Sequence, residues 1–127
     1  MRHKELSEKI IGCAFRVHNK MGFGFIESVY EKCMIIEFDK VGLHAEAQKE
    51  IAVFYDNELV GNFRADIIVE DVIIIELKSV RKLIEAHEVQ LVNYLNATRK
   101  DIGLLINFAE AGVQIKRKVR DLNDLNN

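Results

Sequence analysis

Proline is absent from this chain of 127 residues, and only seven glycines and two cysteines occur. Without proline-rich or glycine-rich stretches, the sequence gives no sign of disordered linkers or low-complexity tails. Cys13 and Cys33 are isolated from each other, and both fall within helix-like patterns. We interpret them as buried thiols in a reducing compartment, which excludes a disulfide scaffold and a zinc site.

Long apolar runs and a strong net charge are missing as well. No stretch approaches the roughly 18 apolar residues that a membrane span needs. Residues 1–9 lack the apolar segment of a secretory signal. We therefore expect a cytoplasmic protein without a membrane partner. The net charge of −2 gives no global electrostatic argument for nucleic-acid binding, so the function has to be inferred from a site.

The residues that are present predict one globular domain. The chain is 49% apolar and 30% charged, the balance of an ordinary soluble protein, and it is long enough for a real core. Apolar periodicity predicts helices over residues 5–20, 26–41 and 84–98, and strands over residues 50–55, 59–69, 72–78, 103–108 and 113–119. The order ααβββαββ predicts an α/β fold, because a helix links the third strand to the fourth in a mixed sheet.

The stretch VIIIELKS carries the most informative pattern in the chain. A strand this apolar is normally central and covered on both faces, yet Glu76 and Lys78 lie near its end. Alternation puts both side chains on the same side of the sheet. Charges placed there lose hydration unless they pair with each other or hold a metal.

A second acid, Asp66, lies ten residues earlier, where the stretch FRADIIV turns apolar. The carboxylates of Asp66 and Glu76 could bind a divalent cation such as Mg²⁺ and form a site for phosphodiester hydrolysis. Lys78 would orient a water molecule or neutralise charge that develops in the transition state. The alternative is that Glu76 and Lys78 occupy an exposed strand end and that Asp66 is an edge residue.

The second predicted helix offers a further acid. Glu27 lies on the same helical stripe as Tyr30, Met34 and Phe38, three bulky residues that we expect to face the core. A glutamate at the start of an inward stripe could contribute to a metal site. Equally, an acid in the first helical turn is favoured by the helix dipole alone.

The third predicted helix presents His87, Gln90 and Tyr94 on one side. Gln90 could bond to a base or to a water on a metal, and Tyr94 to a phosphate. His87 taken by itself is more typical of a surface or core histidine. These three residues are the candidates for substrate binding.

Asp66 followed by Glu76-Leu77-Lys78 resembles the signature of the PD-(D/E)XK nucleases, with Ala65 where that pattern prefers proline. Gln90-x-x-x-Tyr94 resembles an element of the RecB-like branch of that superfamily.

Residues 24–30, GFIESVY, match the motif that names the GxxExxY protein family, and residues 17–18 and 103–108 are similar to that family too. The resemblance covers nearly the whole chain, in the right order and on the right elements.

The resemblance implies a restriction-endonuclease-like fold, an α/β/α sandwich with a mixed central sheet, as a single domain over residues 1–127 with residues 1–22 as an N-terminal helical addition. It implies Asp66 and Glu76 as ligands of Mg²⁺ or Mn²⁺, the Leu77 carbonyl as a third ligand, Lys78 as the catalytic lysine and Glu27 as a catalytic acid. The accessory pair would be Gln90 and Tyr94.

The function predicted on this basis is a metal-dependent nuclease acting on DNA or, alternatively, on RNA. The competing prediction is a nuclease-like module that binds nucleic acid or a protein partner without cutting. Because the chain is small and weakly acidic, we also expect a homodimer or a protein partner that adds affinity for DNA.

Overall fold

The computed structural model describes residues 3–120, so residues 1–2 and 121–127 of the predicted domain lie outside the described part. Its elements are α1 (Lys4–Met21), α2 (Glu27–Lys40), β1 (Ala45–Tyr55), β2 (Glu58–Val69), β3 (Ile73–Lys78), α3 (Glu85–Thr98), β4 (Ile102–Phe108) and β5 (Val113–Val119). The predicted order ααβββαββ and the α/β class are confirmed.

The five strands form one mixed sheet in the order β1-β2-β3-β4-β5, so β3 is the middle strand. Strands β3 and β4 are parallel because α3 makes the crossover between them, and the other neighbours are antiparallel. The two tight turns, Asp56-Asn57 between β1 and β2 and Glu70-Asp71 between β2 and β3, have positive φ at both residues. Two-residue hairpin turns need such backbone, and aspartate and asparagine tolerate it well.

Two apolar clusters cover the two faces of the sheet. The first joins the sheet to α1 and α2, and the second joins it to α3. Ile73, Ile75 and Leu77 of β3 belong to the first cluster, and Ile74 belongs to the second. The central strand is therefore covered on both faces, as its composition predicts. No helix within residues 3–120 combines the length and the hydropathy needed to cross a bilayer.

The alternation of side chains along β2 reverses at Asp66. Odd-numbered residues face the α3 side before this position and the α1/α2 side after it: Phe63 and Ala65, then Ile67 and Val69. Opposite Asp66 on β1, Gln48 has a φ of 53° and interrupts the ladder between the two strands. The pairing of β2 with β3 also stops here, at Ile67 and Ile75. The fold thus opens the sheet at the residue that the sequence pattern singles out.

Candidate metal centre

Asp66 fills the gap where β2 and β3 separate. Its Oδ2 accepts a hydrogen bond from the backbone N–H of Leu77 at 2.8 Å. A backbone carbonyl of β2 would take this position if the ladder continued past Ile67 and Ile75. The carboxylate therefore replaces a ladder bond, and this contact fixes it against the end of β3.

Glu76 lies beside Asp66 with one oxygen unsatisfied. Its Oε1 is buried from solvent and has no hydrogen-bond partner among residues 3–120. Burial raises the pKa of Glu76, the adjacent Asp66 carboxylate raises it further, and Lys78 offsets part of the effect, so that the pKa reaches about 9. With this raised pKa, Glu76 is protonated at neutral pH unless a cation binds beside it.

The donor set of this pair fits a hard divalent cation. Carboxylate oxygens are ligands that Mg²⁺ and Mn²⁺ accept, and a cation would give Glu76 Oε1 the partner that the protein does not supply. Leu77 lines the same cleft as Asp66, and its role as a carbonyl ligand stays a prediction. Within residues 3–120, no three His, Cys, Asp or Glu side chains are grouped closely enough to hold an ion together. The protein therefore offers two carboxylates here.

Glu27 is on the cleft but outside the acid pair. It is the first residue of α2, and it lines a cleft of about 340 Å³ with Asp66 and Leu77. The other residues of its stripe, Tyr30, Met34 and Phe38, are fully buried as predicted. The part that Glu27 plays in a metal site or in catalysis stays a prediction.

Tyr30 anchors the loop that precedes Glu27. The Tyr30 ring stacks on Phe108 with 4.1 Å between centroids, and it is fully buried. Its hydroxyl donates to the Gly22 carbonyl at 2.5 Å and accepts from the Phe25 N–H at 3.4 Å. One core residue thus holds the loop that delivers Glu27 to the cleft.

Two residues that sequence reasoning missed hold the segment after Lys78. The Ser79 hydroxyl donates to the Phe25 carbonyl at 2.6 Å. The fully buried Asn107 accepts from the Val80 N–H at 2.9 Å and donates to the Val80 carbonyl at 2.8 Å. A polar residue inside the apolar stretch IGLLINF was the available signal, because buried amides need specific partners.

Gln90 and Tyr94 are brought together by α3. The Gln90 amide donates to the Tyr94 hydroxyl at 3.1 Å, and the Tyr94 ring stacks on Phe63 with 3.9 Å between centroids. Tyr94 packs on the cluster that contains Ile74, which lies two residues before Glu76 on β3. The pair therefore lies on the sheet face to which Glu76 and Lys78 point.

His87 has a local partner instead. Its Nδ1 accepts a hydrogen bond from the Ile84 N–H at 3.3 Å, at the start of α3. This contact satisfies one of the free N–H groups near the beginning of the helix. Contact of His87 with a substrate stays a prediction.

Comparisons with known proteins concern the family and the fold. The model of the PD-(D/E)XK nuclease superfamily matches residues 4–119. The crystal structure of SSO0001 is similar with a TM-score of 0.59 at 19% identity, covering 78% of this chain and 52% of that one. At this identity the similarity concerns the fold, and the chain spans about half of that protein. Among curated proteins no relative matches. From the fold and the matched residues, the chain belongs to the PD-(D/E)XK nuclease superfamily.

Proposed function

We propose that this protein is a nuclease that hydrolyses phosphodiester bonds, with DNA as its substrate and Mg²⁺ or Mn²⁺ as its cofactor. One observation carries the proposal: a buried glutamate oxygen without a hydrogen-bond partner lies next to a second carboxylate, at the point where β2 and β3 separate. Membership of a nuclease superfamily supports the same reaction class.

Asp66 and Glu76 would hold the cation, with the Leu77 carbonyl as a third ligand. When bound, such an ion supplies a Lewis acid for a phosphate oxygen. The hydrogen bond from the Leu77 N–H fixes Asp66, and burial fixes Glu76, so both carboxylates are positioned before the ion arrives. This rigidity favours small octahedral ions, which tolerate little distortion of their ligands.

Lys78 would stabilise the negative charge that gathers on the phosphate during the reaction. It lies near enough to Glu76 to lower the pKa of that carboxyl, and it points to the same face. Glu27 would orient the attacking water from the opposite wall of the cleft. Gln90 and Tyr94 would contact the substrate through their amide and hydroxyl groups.

Three finer proposals accompany this function. We assign the chain to the GxxExxY family on residues 24–30, with residues 1–22 as an addition to the nuclease core. We place the protein in the cytoplasm. We also expect a second copy or a protein partner to add affinity for DNA, because a net charge of −2 attracts nucleic acid weakly.

A cleavage assay with matched variants tests the function. Single-stranded, duplex and branched DNA and RNA are incubated with Mg²⁺, Mn²⁺ or EDTA. We expect Lys78→Ala to lose at least about a hundred-fold in rate while calorimetry still detects Mn²⁺ binding. Asp66→Ala should lose both cleavage and metal binding. Lys9→Ala, which removes an exposed lysine of α1, should keep both.

The competing function has its own signature in this assay. A wild-type protein that binds oligonucleotides but cuts none of them with either metal would be a nuclease-like binding module. Equal rates for the wild type and Lys78→Ala would remove Lys78 from the catalytic role.

A further inference from the structure

The loop that leads into Glu27 exposes three large apolar side chains. Phe23 is 37% exposed, Phe25 42% and Ile26 71%. Single exposed apolar residues are normal, but several on one short loop beside a polar cleft indicate a binding surface. We name Phe23, Phe25 and Ile26 the apolar rim.

The loop between β3 and α3, which contacts the apolar rim through Ser79, supplies positive charge. Arg81 and Lys82 are exposed and lie between β3 and α3, shortly after Lys78. Within residues 3–120, neither of them takes part in an ion pair. We name these two residues the cationic rim.

A hydrogen bond joins the two rims. Ser79, on the loop that carries the cations, donates its hydroxyl to the Phe25 carbonyl at 2.6 Å. The Phe25 ring also packs edge-to-face on the buried Tyr30 ring, with 6.0 Å between centroids and 86° between planes. The aromatic surface is therefore fixed in place before a ligand arrives, which limits the entropy lost on binding.

The cleft is acidic, so a phosphate backbone needs positive charge nearby in order to bind. Glu27, Glu31 and Asp66 line it, and these acids repel a phosphate backbone. Arg81 and Lys82 follow Lys78 within four residues and supply positive charge that can offset this repulsion. Apolar and aromatic surface next to cations complements a strand whose bases are unstacked, because every free base has a face that stacks. A duplex keeps its bases stacked and offers no such face.

We propose that the apolar and cationic rims bind a single-stranded nucleic-acid segment, which directs the site to unpaired strands or to the frayed ends of a duplex. The apolar rim stacks on one or two bases, and the cationic rim binds the neighbouring phosphates. Binding of the strand by the rims is independent of the proposed nuclease function. Only the delivery of the bound strand to the cleft for cutting rests on that function.

Binding is measured in EDTA, by fluorescence anisotropy, with a labelled oligothymidylate of about 20 nucleotides and a blunt duplex of equal length. Phe25→Leu keeps apolar packing on Tyr30 but removes the aromatic face, and Ile26→Ser removes the most exposed member of the rim. We expect Phe25→Leu to weaken single-strand binding about ten-fold and duplex binding much less. Phe15→Ala, at an aromatic residue of α1 that is 49% exposed, is the matched control and should change neither.

The cationic rim has a separate readout. The double variant Arg81→Ala/Lys82→Ala should make the slope of log K against log salt shallower by about 1.4, because each phosphate contact on a single strand contributes about 0.7. Lys4→Ala/Lys9→Ala removes two positive charges from α1 and should leave the slope unchanged. Circular-dichroism melts establish that each variant is folded.

Failure of the two proposals gives different results. If the wild type cuts DNA but the rim variants keep its preference between single strands and duplex, the rim proposal is wrong and the nuclease stands. If the wild type cuts nothing but binds single strands through the rims, the rim proposal holds and the nuclease fails. If the rim variants change self-association in light scattering and leave oligonucleotide binding unaltered, the surface is a protein interface and the proposal is overturned.

Discussion

Glu37 in α2 is buried and Glu76 in β3 is half-buried with one buried oxygen, but the fold surrounds them with opposite neighbours. The Glu37 side chain is 7% exposed and bonds to Arg16 at 3.0 Å, Lys20 at 3.4 Å and Lys40 at 3.0 Å. Hydrogen bonds from Lys40 and then from Arg16 lower the pKa of Glu37 to about 2. This glutamate is charged at neutral pH, and it ties α1 to α2.

Glu76 has no such cations in contact. Its Oε1 is buried without a hydrogen bond, and Asp66 is its acidic neighbour. Burial and then the Asp66 charge raise the pKa of Glu76 to about 9. A buried carboxylate that the protein satisfies, such as Glu37, serves the structure. Glu76 keeps one unsatisfied oxygen beside another acid, and this is the place where we propose that a cation binds.

The largest expected effect separates the two glutamates by activity. Glu76→Gln should lower metal-dependent cleavage at least about a hundred-fold, because the amide is a poor ligand for Mg²⁺ in place of a carboxylate. The same substitution at Glu37 should leave the specific activity within about two-fold, measured well below the melting temperature. Initial rates on the best substrate provide the comparison. Equal losses at both positions would show that the structural acid also serves catalysis.

The next effect concerns the pH dependence of stability without metal. The folded-state pKa of Glu76 lies above its ordinary value of 4.5. Between pH 4.5 and 9 the folded protein therefore holds a proton on Glu76 that the unfolded chain has lost. As a result, the free energy of unfolding of the wild type falls as pH rises through this range. Glu76→Gln cannot ionise. The free energy of unfolding of the variant, relative to that of the wild type, should therefore rise by at most about 3 kcal/mol between pH 4.5 and neutral pH.

Urea denaturation in EDTA over this pH range measures the difference. Addition of Mg²⁺ should stabilise the wild type and not the variant, because only the wild type keeps both carboxylates. A variant that is less stable than the wild type by more than about 2 kcal/mol would make Glu76 a structural partner of Lys78.

A smaller effect with the opposite sign is expected at Glu37. The pKa of this group is lowered from 4.5 to about 2, so its stabilising contribution is present above pH 4.5 and is lost as pH falls through 2. Glu37→Gln should lower Tm by a few degrees at neutral pH. The gap in Tm should close in acid. Thermal melts at stepped pH check this, and a gap that widens in acid would contradict the ion-pair explanation.

The smallest effect is the response to salt. The side chains of Arg16, Lys20 and Lys40 are 45%, 60% and 55% exposed, so mobile ions reach the cations around Glu37. Raising NaCl to about 0.5 M should narrow the Tm gap between the wild type and Glu37→Gln. Burial is the main cause of the raised pKa of Glu76. The Tm difference between the wild type and Glu76→Gln in EDTA should therefore change less with salt. If salt abolishes the Glu76 gap instead, charge repulsion outweighs burial there.

The sequence predicted the elements well where local pattern and tertiary contacts agree. Strand β5, for example, spans the predicted residues 113–119. The prediction for β1 was wrong at its start, because the strand begins at Ala45 and not at residue 50. Residues 45–49, AEAQK, have weak strand propensity. Pairing with the end of β2 makes them a strand nonetheless.

What the sequence determined by itself is the set of acids and the lysine, together with the strands that carry them. Period-two alternation in an apolar run was enough to put Glu76 and Lys78 on one face, because β3 is regular and covered on both sides. The resemblance to the nuclease superfamily, confirmed for residues 4–119, rested on the same residues.

Only the tertiary structure decided how Asp66 reaches that site. The reversal of alternation in β2 depends on the left-handed backbone of Gln48 on a neighbouring strand, which no local pattern encodes. The Leu77 N–H can donate to Asp66 because the pairing between β2 and β3 ends at Ile67 and Ile75, before it reaches Leu77. Likewise, Asn107 fixes the segment after Lys78 from a strand 27 positions away from Val80. Such contacts join residues that are remote in sequence, so chain packing creates them and local propensity does not.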